Sequence, residues 1–292
     1  MANLKEIRIR IASVKSTQKI TSAMKMVSAA KLRRAQSAIQ KLRPYSRKMS
    51  EILSNITNES NNENNSLAEI REKNNTIFVL ISSNKGLCGG FNNAIIKQSE
   101  LLLRTDYAQI HKDGQLQFIT IGKRVSDYVR SKKYASLGSY DHFTEHCSFE
   151  EVAALADKLM TLFLNKKADK IVILYNEFKN AATQVLSTEQ YLPIVSAQNT
   201  QNETANIDYI FEPSKQEIYE NLIPKVMKLR LYKCIIDSIA SEHGARMTAM
   251  HKATENADEL IKQLNLTYNK LRQSAITNEI IEIVGGAEAL NG

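Results

Sequence analysis

The sequence predicts an α/β protein in which a mainly parallel, doubly wound layer is inserted between two long amphipathic helices. Three observations predict it. Both ends of the chain carry helical apolar periodicity over tens of residues. Everything strand-like lies between them, as short apolar runs alternating with helical stretches. Breakers are scarce, with four prolines and ten glycines in 292 residues, which favours long helices. Helices at opposite ends of a chain can pair only if the intervening domain folds out of their way.

The first helix is read over residues 1–57. From Leu4, apolar residues fall on a seven-residue repeat: Leu4, Ile7, Ile11 and Val14, then Leu32, Ala35, Ile39, Leu42, Met49, Leu53 and Ile56. That repeat is the seam of a helix pairing with another helix. Between the two stretches the register holds Gln18, Thr21, Lys25 and Ser28, so the seam either meets a different partner there or is loosely packed. Pro44 should kink the helix, because it removes a backbone donor and crowds the preceding turn. The Asn-rich run from Asn55 to Asn65 marks its end, and residues 58–75 are read as a polar loop. The first fifty residues carry 13 Lys or Arg against one acid, Glu6, a surplus of 12 on a chain whose formal total is +8. The remainder therefore sums to −4, and the positive charge is a property of this helix.

The α/β domain is read over residues 76–195. TIFVLISS, from Thr76 to Ser83, is a continuous apolar run of the kind buried on both faces of a sheet. A glycine-rich turn follows, then a helix from about Asn92 to Arg104. LQFITIG, KRVSDYVRSKK, the amphipathic stretch Phe149 to Asn165 and DKIVILYNEF continue the alternation of strand and helix, and TQVLSTEQYLPI closes the sheet. Residues 196–213 form a polar loop and a short return segment.

From 214 to 292 the helical pattern resumes, with Pro224 near its start. Its seam runs through Leu229, Tyr232, Ile236 and Ile239, breaks at His243 and Arg246, and returns at Met250, Ala253, Ala257, Leu260, Leu264 and Leu271. Unbroken, this helix is roughly 115 Å long at about 1.5 Å per residue. A core of this size cannot bury such a rod, so it projects and is met by other chains. Its last turns carry Ile280, Ile281, Ile283 and Val284 nearly all round, the pattern of a helix enclosed by protein.

Several function classes are disfavoured. The run of apolar residues needed to span a bilayer is missing, and MANLKEIRIRIASVK reads as neither a signal nor a transit sequence. Three cysteines at unrelated spacings, Cys88, Cys147 and Cys234, suggest free thiols in a reducing compartment. The loop SSNKGLCGGFNN sits where phosphates often bind but lacks the GxxxxGK[ST] spacing, so no nucleotide or other cofactor site is expected. His142, His146 and Cys147 are too few for a metal site, and no catalytic constellation of Ser, His and Asp is present. The basic helix is compatible with a nucleic-acid adaptor or a coiled-coil scaffold, but its heptads and lack of interleaved aromatics favour an acidic protein surface.

Three segments together are specific. RIRIASVKSTQKITSAMKMVSAAKLRRAQ, SSNKGLCGGFN and the terminal pattern carried by Ile276, Thr277, Glu279, Glu282, Gly286, Ala287 and Ala289 resemble the gamma subunits of F-type ATP synthases, along essentially the whole chain. The resemblance implies that the terminal helices form an antiparallel coiled coil, a rotating shaft, with a Rossmann-like α/β domain inserted between them. It implies alpha, beta and epsilon subunits and a c ring as partners, no nucleic acid, and no catalysis by the chain itself. It places the protein peripherally on the cytoplasmic face of a bacterial inner membrane. Carried over by motif, Met24, Arg272, Gln273, Thr277 and Glu279 contact the ring of alpha and beta subunits, and Tyr209 and Glu212 contact the c ring. Lys25 stands where the family often has an acid.

Overall fold

The computed structural model describes residues 4–59, 66–71, 75–181, 183–194 and 215–291, with the backbone alone for 47, 50–59, 215–220 and 288–291. Two helices frame the chain, α1 (Leu4–Glu59) and α6 (Lys215–Asn291), and both continue through an internal proline, Pro44 and Pro224. Contacts divide the molecule into two compact units. One comprises Met1–Ser28 with Met247–Gly292, the other Ala29–Arg246.

The larger unit is built on a five-stranded sheet: β1 (Thr76–Ile81), β2 (Leu116–Ile121), β3 (Ser136–Ser139), β4 (Lys170–Phe178) and β5 (Gln184–Leu192), in the order β3-β2-β1-β4-β5. The first four run parallel, and β5 lies antiparallel to β4. β1 is buried at every residue because helices cover both its faces, which is why its sequence is an uninterrupted apolar run. On one face lie α2 (Phe91–Arg104), α3 (Ala108–Lys112) and α4 (Lys123–Ser131), packed on Phe78, Leu80, Phe118, Val172 and Leu174. Phe78 meets the edges of Tyr107 and Phe118, at centroid distances of 4.9 Å and 5.9 Å, and Phe118 stacks on Tyr134 at 5.2 Å. Ring pairs of this geometry add about 0.5–1.5 kcal/mol each beyond area burial.

The opposite face of the sheet is covered by α5 (Phe149–Leu164) and by the first half of α6, through Ile223, Met227, Leu231, Cys234 and Ile235. Polar contacts fix α6 on β5. The Tyr191 hydroxyl donates to the Met227 carbonyl at 2.9 Å, and Arg230 donates Nε to Glu189 at 2.5 Å and Nη2 to the Gln190 carbonyl at 2.9 Å. On its other side this stretch of α6 meets α1, with Met49 packed among Val226 and Leu229.

In the smaller unit the seam of α1 does not lapse where its apolar residues do. Thr21 and Ser28 are buried there, and Gln18 and Lys25 are half-buried. Thr21 Oγ1 lies 2.9 Å from Thr254 Oγ1, Lys25 Nζ lies 3.3 Å from His251 Nδ1, and Gln18 Nε2 donates to Asp258. The pairings 18 with 258, 21 with 254 and 25 with 251 run in opposite directions along the chain, so the two helices are antiparallel. The Ser28 and Thr254 hydroxyls also bond the carbonyls of Met24 and Met250, each at 2.8 Å. A polar rung of this kind fixes register at some cost in stability. The middle of the seam is thus paired and polar rather than interrupted.

Candidate functional site

Chemistry in a doubly wound sheet belongs at the carboxyl ends of its strands, where helix N-termini offer unpaired amides to a ligand. Here the chain occupies that position itself. In the first turn of α4, the amide of Lys123 donates to Asn84 Oδ1 at 3.0 Å, that of Arg124 to the Ser83 carbonyl at 3.2 Å, and that of Val125 to Ser82 Oγ at 3.1 Å. Ser126 and Ser139 donate their hydroxyls to the Asp141 carboxylate at 2.8 Å and 2.7 Å. Gly122 holds the β2–α4 turn at φ +100° against the Ser82 carbonyl. These three amides at the N-terminus of α4 already have partners within the chain.

The histidines of DHFTEHC, His142 and His146, are both exposed. His142 meets the edge of Phe143 at 4.5 Å and lies 3.9 Å from Glu151. Burial pushes the neighbouring Cys147 thiol up to about 12, far from a reactive thiolate. Among the described residues no group of three His, Cys, Asp or Glu is placed to hold a metal ion, and no helix is long and apolar enough to cross a membrane.

The exposed surface is more informative. Along α1 the positions two residues after the seam residues from Ile7 to Ser28 are Ile9, Ser13, Ser16, Ile20, Ala23, Val27 and Ala30, all exposed, a row that lies between Glu6 and Arg34. Two residues turn a helix by about 200°, so this stripe faces away from the seam. It bears no charge on a strongly cationic helix, and rows holding Lys5, Lys19 and Arg33, and Arg10 and Lys31, flank it. On α6, every residue from Arg272 to Ala287 is exposed, including Ile276, Ile280, Ile281, Ile283 and Val284. Five large apolar side chains exposed along one such stretch form the kind of patch that marks an interaction surface.

The residues singled out from the sequence fall on these surfaces. Met24 is half-buried on α1 and its carbonyl accepts from Ser28. Arg272, Gln273, Thr277 and Glu279 are exposed on the end of α6, where Thr277 Oγ1 donates to the Gln273 carbonyl at 2.9 Å. Tyr209 and Glu212 lie outside the described residues.

The break that the sequence shows at His243 and Arg246 is part of a longer buried row. In the larger unit α6 carries a buried polar file, Asp237, Ser238, Ser241, Glu242, His243 and Arg246. Burial pushes the Asp237 carboxyl up to about 6 against the pull of Lys233 and Arg43, and raises Glu242 as well. Burial, with Lys31 and Arg246 nearby, pushes His243 down to about 4. Asp237 Oδ1, Ser241 Oγ and His243 Nδ1 have no hydrogen-bond partner among the described residues.

Comparison with known proteins places these surfaces in context. The family model described as "ATP synthase" matches residues 3–290. The ATP synthase gamma chain of Flavobacterium johnsoniae is 55% identical over 293 residues and that of Christiangramia forsetii 53%, each alignment covering the whole of both chains. Among solved structures, the rotor of the Euglena gracilis mitochondrial ATP synthase matches with a TM-score of 0.66 at 20% identity, covering 94% of this chain and 98% of that one. The central stalk of the Tetrahymena thermophila mitochondrial enzyme matches with a TM-score of 0.58 at 23% identity, covering 80% of this chain and 99% of that one. At these identities the structural matches speak for the fold.

Proposed function

The chain belongs to the ATP synthase gamma-chain family, and we propose that it is the central rotor subunit of an F-type enzyme. In this reading it carries torque from a proton-driven c ring to the catalytic beta subunits. The observation that carries the reading is the end of α6, exposed from Arg272 to Ala287 and bearing Ile276, Ile280, Ile281, Ile283 and Val284 on that exposed surface. A ring of alpha and beta subunits would enclose that end, with Arg272, Gln273, Thr277 and Glu279 as its polar contacts. The uncharged stripe on α1, bordered by cations, suits a surface that moves past acidic loops, since complementary charge there guides orientation more than it tightens binding. Tyr209 and Glu212 would grip the c ring, with epsilon beside the α/β unit, on the cytoplasmic face of a bacterial inner membrane.

The chain in this reading is non-catalytic by itself, which suits a first turn of α4 whose amides are taken by Asn84, Ser82 and Ser83. The test is Met24→Lys in the assembled complex. It sets a second cation beside Lys25, which already lies 3.3 Å from His251, on the helix that would meet the stator. ATP-driven proton pumping per ATP hydrolysed is expected to fall severalfold while assembly persists. Unchanged pumping in that variant, or ATP turnover by the purified chain alone, would overturn the reading.

A further inference from the structure

Three polar rungs join α1 and α6 in the smaller unit: Gln18 with Asp258, Thr21 with Thr254, and Lys25 with His251. The first is an amide on a carboxylate and the second a pair of hydroxyls. The third is of another kind, because it sets a cation against imidazole, the side chain that changes charge between about pH 5 and 8. Lys25 Nζ lies 3.3 Å from His251 Nδ1. A lysine ammonium only donates, so Nδ1 is the acceptor. The ring is then neutral, with its proton on Nε2. That nitrogen faces Glu255, one helical turn on, at 3.6 Å.

The surroundings of the pair are otherwise uncharged. On α1 every residue three or four positions from Lys25 is neutral, and so is every such neighbour of His251 on α6 apart from Glu255. Lys252, next in sequence, is turned about 100° away around the helix. Among the described residues the smaller unit contains no element besides these two helices. Lys25 is half-buried in the seam while His251 is exposed, so protons reach the ring freely. The two states of the ring therefore give the ammonium different places. Neutral, His251 offers Lys25 an acceptor across the coil. A proton bound at Nδ1 removes that acceptor and sets a like charge at the same distance, a repulsion that water only partly screens. Glu255 then balances the new charge, and Lys25 swings out of the seam on its flexible stem.

We propose that His251 is the positioning residue for Lys25, and that its proton decides whether the ammonium is held across the coil or released to the helix surface. The switch belongs to the chain itself. Its consequence rests on the rotor reading: a cation released beside Met24 changes the surface that turns inside the ring, so the shaft couples less well in acid.

The test on the purified full chain is the acylation of Lys25 by N-hydroxysuccinimidyl acetate, relative to that of Lys19, an exposed lysine of the same helix. Peptide mass gives the ratio at pH 8 and at pH 6. It is expected to rise about threefold at pH 6, the weight of one hydrogen bond lost. His251→Gln keeps an acceptor that takes up no proton, so its ratio stays at the parent's pH 8 value throughout. His251→Arg carries a permanent charge and gives the high ratio at both pH values. A purely structural role for His251 would shift the ratio in the variants without any dependence on pH. A parent ratio that is equal at pH 8 and pH 6, or a parent-like rise in His251→Gln, would overturn the proposal. In the assembled complex, parent and His251→Gln should pump equally per ATP hydrolysed at pH 8, and the parent about twofold less at pH 6. Equal pumping at pH 6 beside an intact labelling rise would overturn the consequence for coupling. Failure of the rotor reading shows differently, as a complex that pumps protons in the absence of this chain.

Discussion

Gly122→Ala is expected to unfold the larger unit or cost it about 2–5 kcal/mol, the sum of a left-handed conformation and an overpacked contact. Gly122 joins β2 to α4 at φ +100°, and a Cβ there would lie 2.2 Å from the Ser82 carbonyl oxygen and 2.7 Å from its carbon. Both obstacles are backbone, so no rotamer change relieves them. The turn cannot move away either. The Ser82 amide donates to the Ile121 carbonyl at 2.7 Å, and the Gly122 carbonyl accepts from the Ser126 amide at 3.2 Å. Shifting it would therefore disturb β1, β2 and α4 together. Gly114→Ala is the control: Gly114 has φ +71° but nothing within 4 Å of the added carbon, so strain alone, about 1–2 kcal/mol, should appear. Urea unfolding of the purified chains separates the two. Equal midpoints for Gly122→Ala and Gly114→Ala would show that the close approach to Ser82 is not what the glycine serves.

The same contrast between local pattern and distant contact decides what the sequence discloses. β1, β2 and β4 are legible because burial on both faces leaves an apolar run, and the terminal helices because their seams repeat over many turns. β3 is not: SLGS is four residues long, half-exposed, and held by pairing to β2. The direction of β5 follows from its connection rather than its composition. Only five residues, 179–183, separate it from β4, too few for a parallel crossover, so the antiparallel pairing was available to be read. The supposed gap in the seam of α1 came from counting apolar residues alone. Thr21 and Ser28 turn inward because their hydroxyls bond backbone carbonyls of their own helix, at 3.0 Å and 2.8 Å, and need no water. Of the candidate site, the exposed apolar end of α6 was legible from periodicity, while the roles of Met24, Arg272, Gln273, Thr277 and Glu279 came from resemblance alone. The hydrogen bonds from Arg246 to the Gly86 and Lys85 carbonyls join residues 160 and 161 positions apart, which no local pattern encodes.

Asp237→Asn is expected to stabilise the chain at pH 7 and to change how its stability varies with pH. Burial holds the Asp237 carboxyl at about 6, above its ordinary 3.8, so the folded chain keeps a proton that the unfolded chain has lost. Stability from this group is therefore full below about pH 4 and is lost as pH rises to about 6. His243 works in the opposite sense. Its folded value of about 4 lies below 6.5, so the unfolded chain binds a proton that the folded chain refuses, and stability is lost as pH falls from about 6.5 to 4. Each shift spans about two pH units, on the order of 3 kcal/mol. The two groups share one helix and nearly offset each other between pH 4 and 6, with Glu242, also raised, adding to the side of Asp237. Removing the carboxylate exposes the histidine's share. Relative to the parent, Asp237→Asn should gain nothing at pH 4 and up to about 3 kcal/mol at pH 7, and its own stability should climb across that interval. His243→Gln should show the mirror image, a gain at pH 4 that vanishes by pH 7. Thermal unfolding of the three chains at half-unit steps of pH provides the measurement. A variant-minus-parent difference for Asp237→Asn that stays flat from pH 4 to 7 would mean that the carboxyl titrates alike in the folded and unfolded chain, and that the buried file on α6 is solvated.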